Sequence, residues 1–279
     1  LKIVPEDSSA RVTDAFPPLD LIAGAADQRL ILLCDHARNA LPPAYGDLGL
    51  PPDSLQRHIA YDIGAEQVTR RLAALTGASA ALALFSRLLI DPNRGEDDPT
   101  LVMRISDGAL IPGNARIDAD EIARRIETFW RPYRSAGAAL VDGVLARGLT
   151  PLLLGIHSFT PCFKGCSRPW QVGVLWDQDP RLARLLTEAL RAENLVVGDN
   201  EPYDGALIGD SMYEHSTLRG LPGALIEIRQ DLVEAPEQCE AWAGLLARVL
   251  PPILGDEETK KVEYFGSRVD PDVPTGAPA

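Results

Sequence analysis

"RLILLCDH", residues 29–36, is a run of five apolar residues between an arginine and an Asp-His pair. So short and uninterrupted a leucine-isoleucine run reads as a buried strand. The polar pair closing it sits where open α/β sheets keep their chemistry, outside the carboxyl ends of their strands. "TPLLLGIHSFTP" (150–161) repeats the order of apolar run, histidine and polar turn. Two such strands, each ending on a histidine, set the frame for the remaining segments.

Working outward, "PPDSLQRHIAYDIGAEQVTRRLAALTG" (51–77) predicts one helix. Asp53 or Ser54 can cap its start, Leu55, Ile59, Ile63 and Leu72 lie near helical spacing, and Gly77 can close it. "ASAALALFSRLLIDPNR" (78–94) predicts one or two strands breaking at Pro92. The turn-rich stretch 95–116 lacks sustained periodicity and reads as a long loop, a candidate lid. "DADEIARRIETFWRPYRSAGAALVDGVLARG" (118–148) opens with Asp118 and Glu121 in capping-box spacing and continues a helical stripe, with a kink expected at Pro132.

Further strands are expected in "QVGVLWD" (171–177), "LVVGDNEPYDG" (195–205) and "GALIEIRQD" (223–231), and helices in "PRLARLLTEALRAEN" (180–194) and "PEQCEAWAGLLARVLPPIL" (236–254). Alternating strands and helices give an α/β class with a mostly parallel sheet covered on both faces. One α/β domain over 1–255 is the expectation. The Pro/Gly-rich end reads as a disordered C-terminal tail over 256–279.

The net charge of −13 leaves no surplus of cations for a nucleic-acid partner. No stretch is apolar for the length of a membrane span, and "LKIVPEDSSARVTDAF" lacks the apolar core of a secretory leader, so a cytoplasmic location is expected. Cys34, Cys162, Cys166 and Cys239 are too sparse for a disulfide framework.

His36, His157 and Glu227 fall at or near strand ends that converge on one rim. Two imidazoles and a carboxylate there are the makings of a catalytic zinc site with an open position for water. Asp62, one helical turn after His58, is one candidate for the third ligand, with His58 steadying it. Asp35 is the other, as ligand or as partner to a ligating histidine. Asn39 is read as holding a turn.

Glu227 interrupts an apolar strand, with Arg229 on the same face. It is either half of a structural pair or a general base. Arg87, inside an apolar segment, pairs with Asp91 or Glu227 or binds substrate, and Arg94 follows Asn93 just past a strand. Cys34 next to His36 allows a cysteine nucleophile as a competing reading, although an apolar strand is where an inert core thiol is expected.

"CDHARNALP", "HIAYDIGA", "SRLLIDPNR", "GIHSFTP", "GDNEPYDG" and "ALIEIRQDL", in this order between about 28 and 235, together resemble the N-formylglutamate amidohydrolase family. The resemblance implies a three-layer α/β/α sandwich around a mixed, mostly parallel sheet, phosphorylase/hydrolase-like and similar to the zinc carboxypeptidases. It also implies Zn2+, or another divalent metal, on His36 and His157. Glu227 is then the general base, Asn93 and Arg94 the grip on a substrate carboxylate, and Arg87 the group polarising the scissile carbonyl. Zinc carboxypeptidases carry a glutamate three residues after the first histidine. Here that position is Asn39, and Asp62 is expected to supply the carboxylate.

The expected activity is cleavage of an N-acyl amino acid, N-formyl-L-glutamate to formate and glutamate. Another N-acyl amino acid, a small peptide, or a non-catalytic carboxylate-binding role on the same fold are the alternatives. Arg87, Arg94, Arg104 and Arg229 are the cations available to a dicarboxylate, and Asn200, Tyr203 and His215 the further pocket candidates.

Overall fold

The computed structural model describes residues 16–278. Residues 1–15, holding nearly all of the stretch read as lacking a leader, lie outside the described residues. A seven-stranded sheet forms the middle layer. Its strands are β1 (Leu19–Ile22), β2 (Leu30–Cys34), β3 (Ser79–Ala83), β4 (Leu152–Phe159), β5 (Val172–Leu175), β6 (Val197–Asp199) and β7 (Gly223–Arg229). Their spatial order is β1-β3-β2-β4-β7-β5-β6. The central four, β3, β2, β4 and β7, run parallel. β1 pairs antiparallel with β3, and β5 antiparallel with β7, with β6 parallel to β5. The sheet is therefore mixed, with its parallel strands at the centre.

Every residue of β2 and β4 is buried, as expected of strands covered on both faces. Strand alternation divides their side chains. Leu30, Leu32, Cys34, Leu154, Ile156, Ala224, Ile226 and Ile228 enter the core beneath helices α1 (Ala65–Thr76), α4 (Pro180–Ala192) and α6 (Pro236–Gly255). Ile31, Leu33, Leu153 and Leu225 join Phe129, Tyr133, Val141 and Val144 on the other face. That second face is covered by α2 (Ala119–Arg125), a π turn (Ile126–Trp130) and α3 (Arg131–Leu145), with α5 (Ser211–His215) nearby. The π turn immediately precedes Pro132, whose missing N–H and ring disturb the ladder one turn back, so the expected kink takes this form.

Three expectations are corrected. The helix predicted over 51–77 begins at Ala65, after a 3-10 turn at Pro52–Gln56 and a non-helical stretch. Residues 60 and 62 spend their backbone groups elsewhere: Asp62 N–H donates to His36 O (3.0 Å), and Ala60 O accepts from Arg87 N–H (3.2 Å). Gly64, at φ 79°, then starts α1. A Cβ there would lie 2.3 Å from Val233 O.

The segment read as a disordered tail carries a 3-10 turn at Glu258–Lys260 and pairs Tyr264–Phe265 with Thr275–Gly276. Specific bonds hold it despite its composition: Arg268 reaches Asp204 at 2.6 and 3.0 Å and Trp176 O at 2.7 Å. The long loop forms a small hairpin, Ile105–Ser106 with Ala109–Leu110. It is pinned by buried Asn114, which donates to Leu88 O and Met103 O. Among the described residues, no helix is long and apolar enough to cross a membrane.

Candidate active site

Asp35 and His36 leave the end of β2, and His157 lies near the end of β4. Glu227 on β7 is paired in register with His157 on one side and Gly173 on the other. On β7, Leu225 and Glu227 share the face opposite Ile226 and Ile228, so alternation alone delivers the carboxyl to the histidines' side. Asp62 arrives from the non-helical turn, tied to the His36 carbonyl.

Asp62 Oδ2 lies 3.2 Å from His36 Nδ1 and 2.9 Å from His157 Nδ1. One donor atom from each of these three buried side chains falls within 4.8 Å of the others. The remaining ring nitrogens are held by carboxylates, His36 Nε2 by Asp91 Oδ1 (2.8 Å) and His157 Nε2 by Asp35 Oδ2 (3.0 Å). Asp35 is fixed in turn by the Ser211 hydroxyl at 2.5 Å. This is the arrangement that orients metal-ligating histidines: the outer nitrogen donates to a carboxylate and the inner lone pair is left for the ion.

Two inner lone pairs facing one carboxylate oxygen are three acceptors; the donors that reach them among the described residues are Arg87 Nη1, at 3.3 Å from His36 Nδ1, and the Ser158 N–H, at 3.4 Å from Asp62 Oδ2. Charge leads to the same place. Among the described residues, buried Asp62 and Asp91 share Arg87 as their ion-pair partner, with Arg94 adding to the field on Asp91, while Asp35 is paired only with His157, so the carboxylates outnumber the fixed cations bonded to them while both imidazoles are neutral. A divalent cation, or two protons, would offset the excess. The donor set of two imidazoles and a carboxylate fits a three-ligand catalytic site.

Titration without an ion follows the same field. Burial opposes the charged form of His157, but bonds to Asp35 and Asp62 outweigh it and hold the imidazole well above its ordinary value. Burial likewise raises Asp62, yet the two histidines draw it well below the usual carboxylate range. Glu227 has no such support. Burial pushes it up to about 7, against the pull of His157. Its Oε2 is buried with no hydrogen-bond partner among the described residues.

These groups line a cavity of about 270 Å³ that also presents Arg87, Asn93, Arg94, Tyr203 and Asp210. Arg87 grips Asp91 Oδ2 through Nη2 (2.7 Å) and Nε (3.1 Å), the first of its expected pairings. Asn93 accepts from Ser211 N–H at 3.0 Å, and Arg94 reaches the Asn93 carbonyl at 2.8 Å. Tyr203 receives a bond from Arg168 at 3.0 Å.

Other expected residues are placed elsewhere. Arg229 is taken by Asp231 (2.7 Å) and does not line the cavity. The Asn200 side chain accepts from Trp176 and Gly205 N–H and holds a loop. His58 lines the mouth but faces Asp107 at 3.7 Å rather than Asp62, because 57–64 is not helical. Arg104 is exposed, and His215 is buried against Gly137 in α3. Asn39 holds a turn through Leu55 O. No residue of 95–116 lines the cavity. Cys34 is fully buried and its thiol is pushed well up by burial, so it is not a poised nucleophile. Cys162 and Cys166 lie exposed on a separate hairpin.

The carboxylate role of Asp91 toward His36, the Ser211 bond to Asp35 and the place of Asp210 went unread in the sequence. Only Asp91, two residues before Asn93 in "SRLLIDPNR", carries any signal.

Comparison with known proteins agrees with this fold. The family model of N-formylglutamate amidohydrolase matches residues 28–234. No curated protein sequence matches the chain. Among solved structures, a gene product of Agrobacterium tumefaciens, Atu2144, is similar at 31% identity and TM-score 0.83, over 88% of this chain and 98% of that one. The N-formylglutamate amidohydrolase of Ralstonia eutropha JMP134 shares the fold at 23% identity and TM-score 0.67, over 86% of this chain and 98% of its own. With the match spanning most of its length, the chain belongs to the N-formylglutamate amidohydrolase family.

Proposed function

We propose that the chain hydrolyses the amide bond of an N-acyl amino acid in a metal-dependent reaction. N-formyl-L-glutamate, the compound in the family's name, is the first substrate to assay. The observation that carries the reading is Glu227: a buried carboxyl with a free oxygen, opening into the same cavity as the His36–Asp62–His157 group.

A divalent ion such as Zn2+, bound by His36, Asp62 and His157, would supply Lewis acidity toward water and the scissile carbonyl. Glu227 takes a proton from the attacking water as the water oxygen bonds to the acyl carbon. It returns that proton to the amine nitrogen as the C–N bond breaks. A carboxyl pushed up to about 7 suits both halves of this exchange. Arg87, anchored by Asp91, faces the charge that develops on the carbonyl oxygen. Asn93 and Arg94 hold the substrate's α-carboxylate, for which a planar guanidinium is the fitting partner.

Formate release is the assay. Glu227→Gln should keep its metal and lose roughly 10²–10⁴-fold in turnover. Near-normal turnover in that variant would remove Glu227 from the reaction.

A further inference from the structure

We propose that the amino-acid side chain this site accepts is neutral and apolar rather than a second carboxylate. The inference rests on the amidohydrolase reading and narrows its substrate class. It begins from cations. Of the four arginines available on paper to a dicarboxylate, Arg104 is exposed on its loop and Arg229 is bound to Asp231. Arg87 commits Nε and Nη2 to Asp91. Arg94, beside Asn93, is left for the α-carboxylate. No further arginine or lysine lines the cavity among the described residues. Arg168 does not line the cavity; its Nη1 donates to the Tyr203 hydroxyl and to Thr160 Oγ1, which do.

The cavity wall next to Glu227 is apolar. Leu225 precedes Glu227 by one same-face step on β7, and its register partner on β5 is Leu175. Leu207 completes this wall. Gly155 makes the arrangement possible, since a Cβ there would stand 2.1 Å from Leu225 Cδ2. A carboxylate set against three leucines would lose its water and gain no partner.

The remaining polar lining, which includes His58, Ser158, Thr160 and Tyr203, also holds two carboxyls. Asp204, already paired with Arg268, and buried Asp210 both line the cavity. Asp210 caps Tyr213 N–H at 2.6 Å and has no ion pair among the described residues. The site thus carries elements that disfavour a second anion as well as elements that favour an aliphatic chain.

The test is a ranking of kcat/KM on the metal-loaded wild type with N-formyl-L-leucine, N-formyl-L-glutamine and N-formyl-L-glutamate. Glutamine and glutamate are near-isosteric, so their ratio isolates charge. Leucine and glutamine should each exceed glutamate, leucine by about tenfold or more. Leu207→Arg, at a half-buried position, should narrow that gap by raising glutamate. Glutamate equal to or better than leucine in the wild type would overturn the inference while leaving amide hydrolysis standing. An unchanged ratio in a folded Leu207→Arg enzyme would overturn it too, by showing that the side chain does not meet this wall. Cleavage of none of the three would overturn the amidohydrolase reading itself.

Discussion

Asp62 is bound to His36 twice: its backbone N–H donates to the His36 carbonyl at 3.0 Å, and its Oδ2 stands 3.2 Å from His36 Nδ1. The backbone bond fixes where the carboxylate sits, and the second contact extends to His157 Nδ1 at 2.9 Å. Asp62→Asn keeps the backbone bond and the side-chain shape while removing the charge. Protein purified without chelator should hold about one divalent ion per chain, and Asp62→Asn, His36→Ala and His157→Ala should each lose it. Adding zinc to the stripped wild type should raise its Tm, since a ligand bound only by the folded state stabilises it. Wild-type protein that takes up no metal would leave Asp62 as a buried acceptor for two protonated imidazoles.

Asp91 holds His36 Nε2 at 2.8 Å and Arg87 Nη2 at 2.7 Å with its two oxygens. Asp91→Asn should therefore weaken metal binding about 10–100-fold without removing a ligand. It should also lower turnover by freeing Arg87. Competition against a chromophoric chelator measures the first effect separately from the second. Asp35→Asn should act likewise through His157, and unchanged metal affinity in both variants would show that neither carboxylate tunes the site.

The strands ending at Asp35–His36 and carrying His157 and Glu227 were legible because a buried strand writes itself as a continuous apolar run, and an acid or imidazole within it stands out. Asp62 belongs to the site, but helical spacing is not what places it there. Helical spacing from His58 suggested it, whereas the chain reaches the site through bonds from Asp62 to His36 and from Arg87 to Ala60 that link segments distant in sequence. Arg229 and Asn200 show the same limit. Asn200 is spent on the Gly205 amide and on the Trp176 amide 24 residues away, while Arg229 is spent on Asp231, two residues along in its own motif, where spacing does not tell an ion pair from a free cation. The reversed directions of β5 and β6 were also hidden, because a short apolar strand carries no mark of which way it runs.

His215 gives stability a pH dependence independent of the catalytic groups. Burial, reinforced by Arg134, pushes its imidazole down to about 4. An unfolded histidine titrates near ~6.5, so between these values the unfolded chain binds the extra proton and the folded one does not. Stability should fall as pH drops through that window, by about 3 kcal/mol at its lower end. Asp210, pushed up by burial to about 7, works in the opposite sense but is present in both proteins compared. Urea midpoints from pH 7.5 to 4.5 should be steeper in the wild type than in His215→Gln. Parallel curves would mean that the folded protein tolerates the charged ring.

Gly137 and Gly143 both lie within α3 (Arg131–Leu145), where alanine normally gains about 1 kcal/mol. Gly143 has nothing within 4 Å of an added Cβ, so Gly143→Ala should stabilise by that amount. At Gly137 the Cβ would meet His215 Nε2 at 2.7 Å, and the buried ring has little room to give. Gly137→Ala should destabilise by about 1–3 kcal/mol despite the better helix propensity. Opposite signs in the two melting temperatures are the expected result. A gain at both positions would mean that His215 does not pack on this turn.

Removal of 256–279 tests whether that segment is part of the folded unit. Composition alone predicts no effect, because a disordered tail contributes no contacts. The structure places Thr259 against the guanidinium of Arg29, which donates to Thr259 O at 2.8 Å and to its Oγ1 at 2.6 Å. Arg29 is buried at the start of β2, and its other acceptors are Leu254 O and Thr150 O. Truncation after residue 255 would leave half of that charged fork without partners, and lost bonds to a charged group cost about 1.5–3 kcal/mol each. A fall in Tm of roughly 10 °C follows for a chain of this size. Arg29→Met should recover part of the loss in the truncated protein, since it removes the charge that the truncation strands. A truncated chain that melts with the wild type would instead return 256–279 to the role its composition suggested.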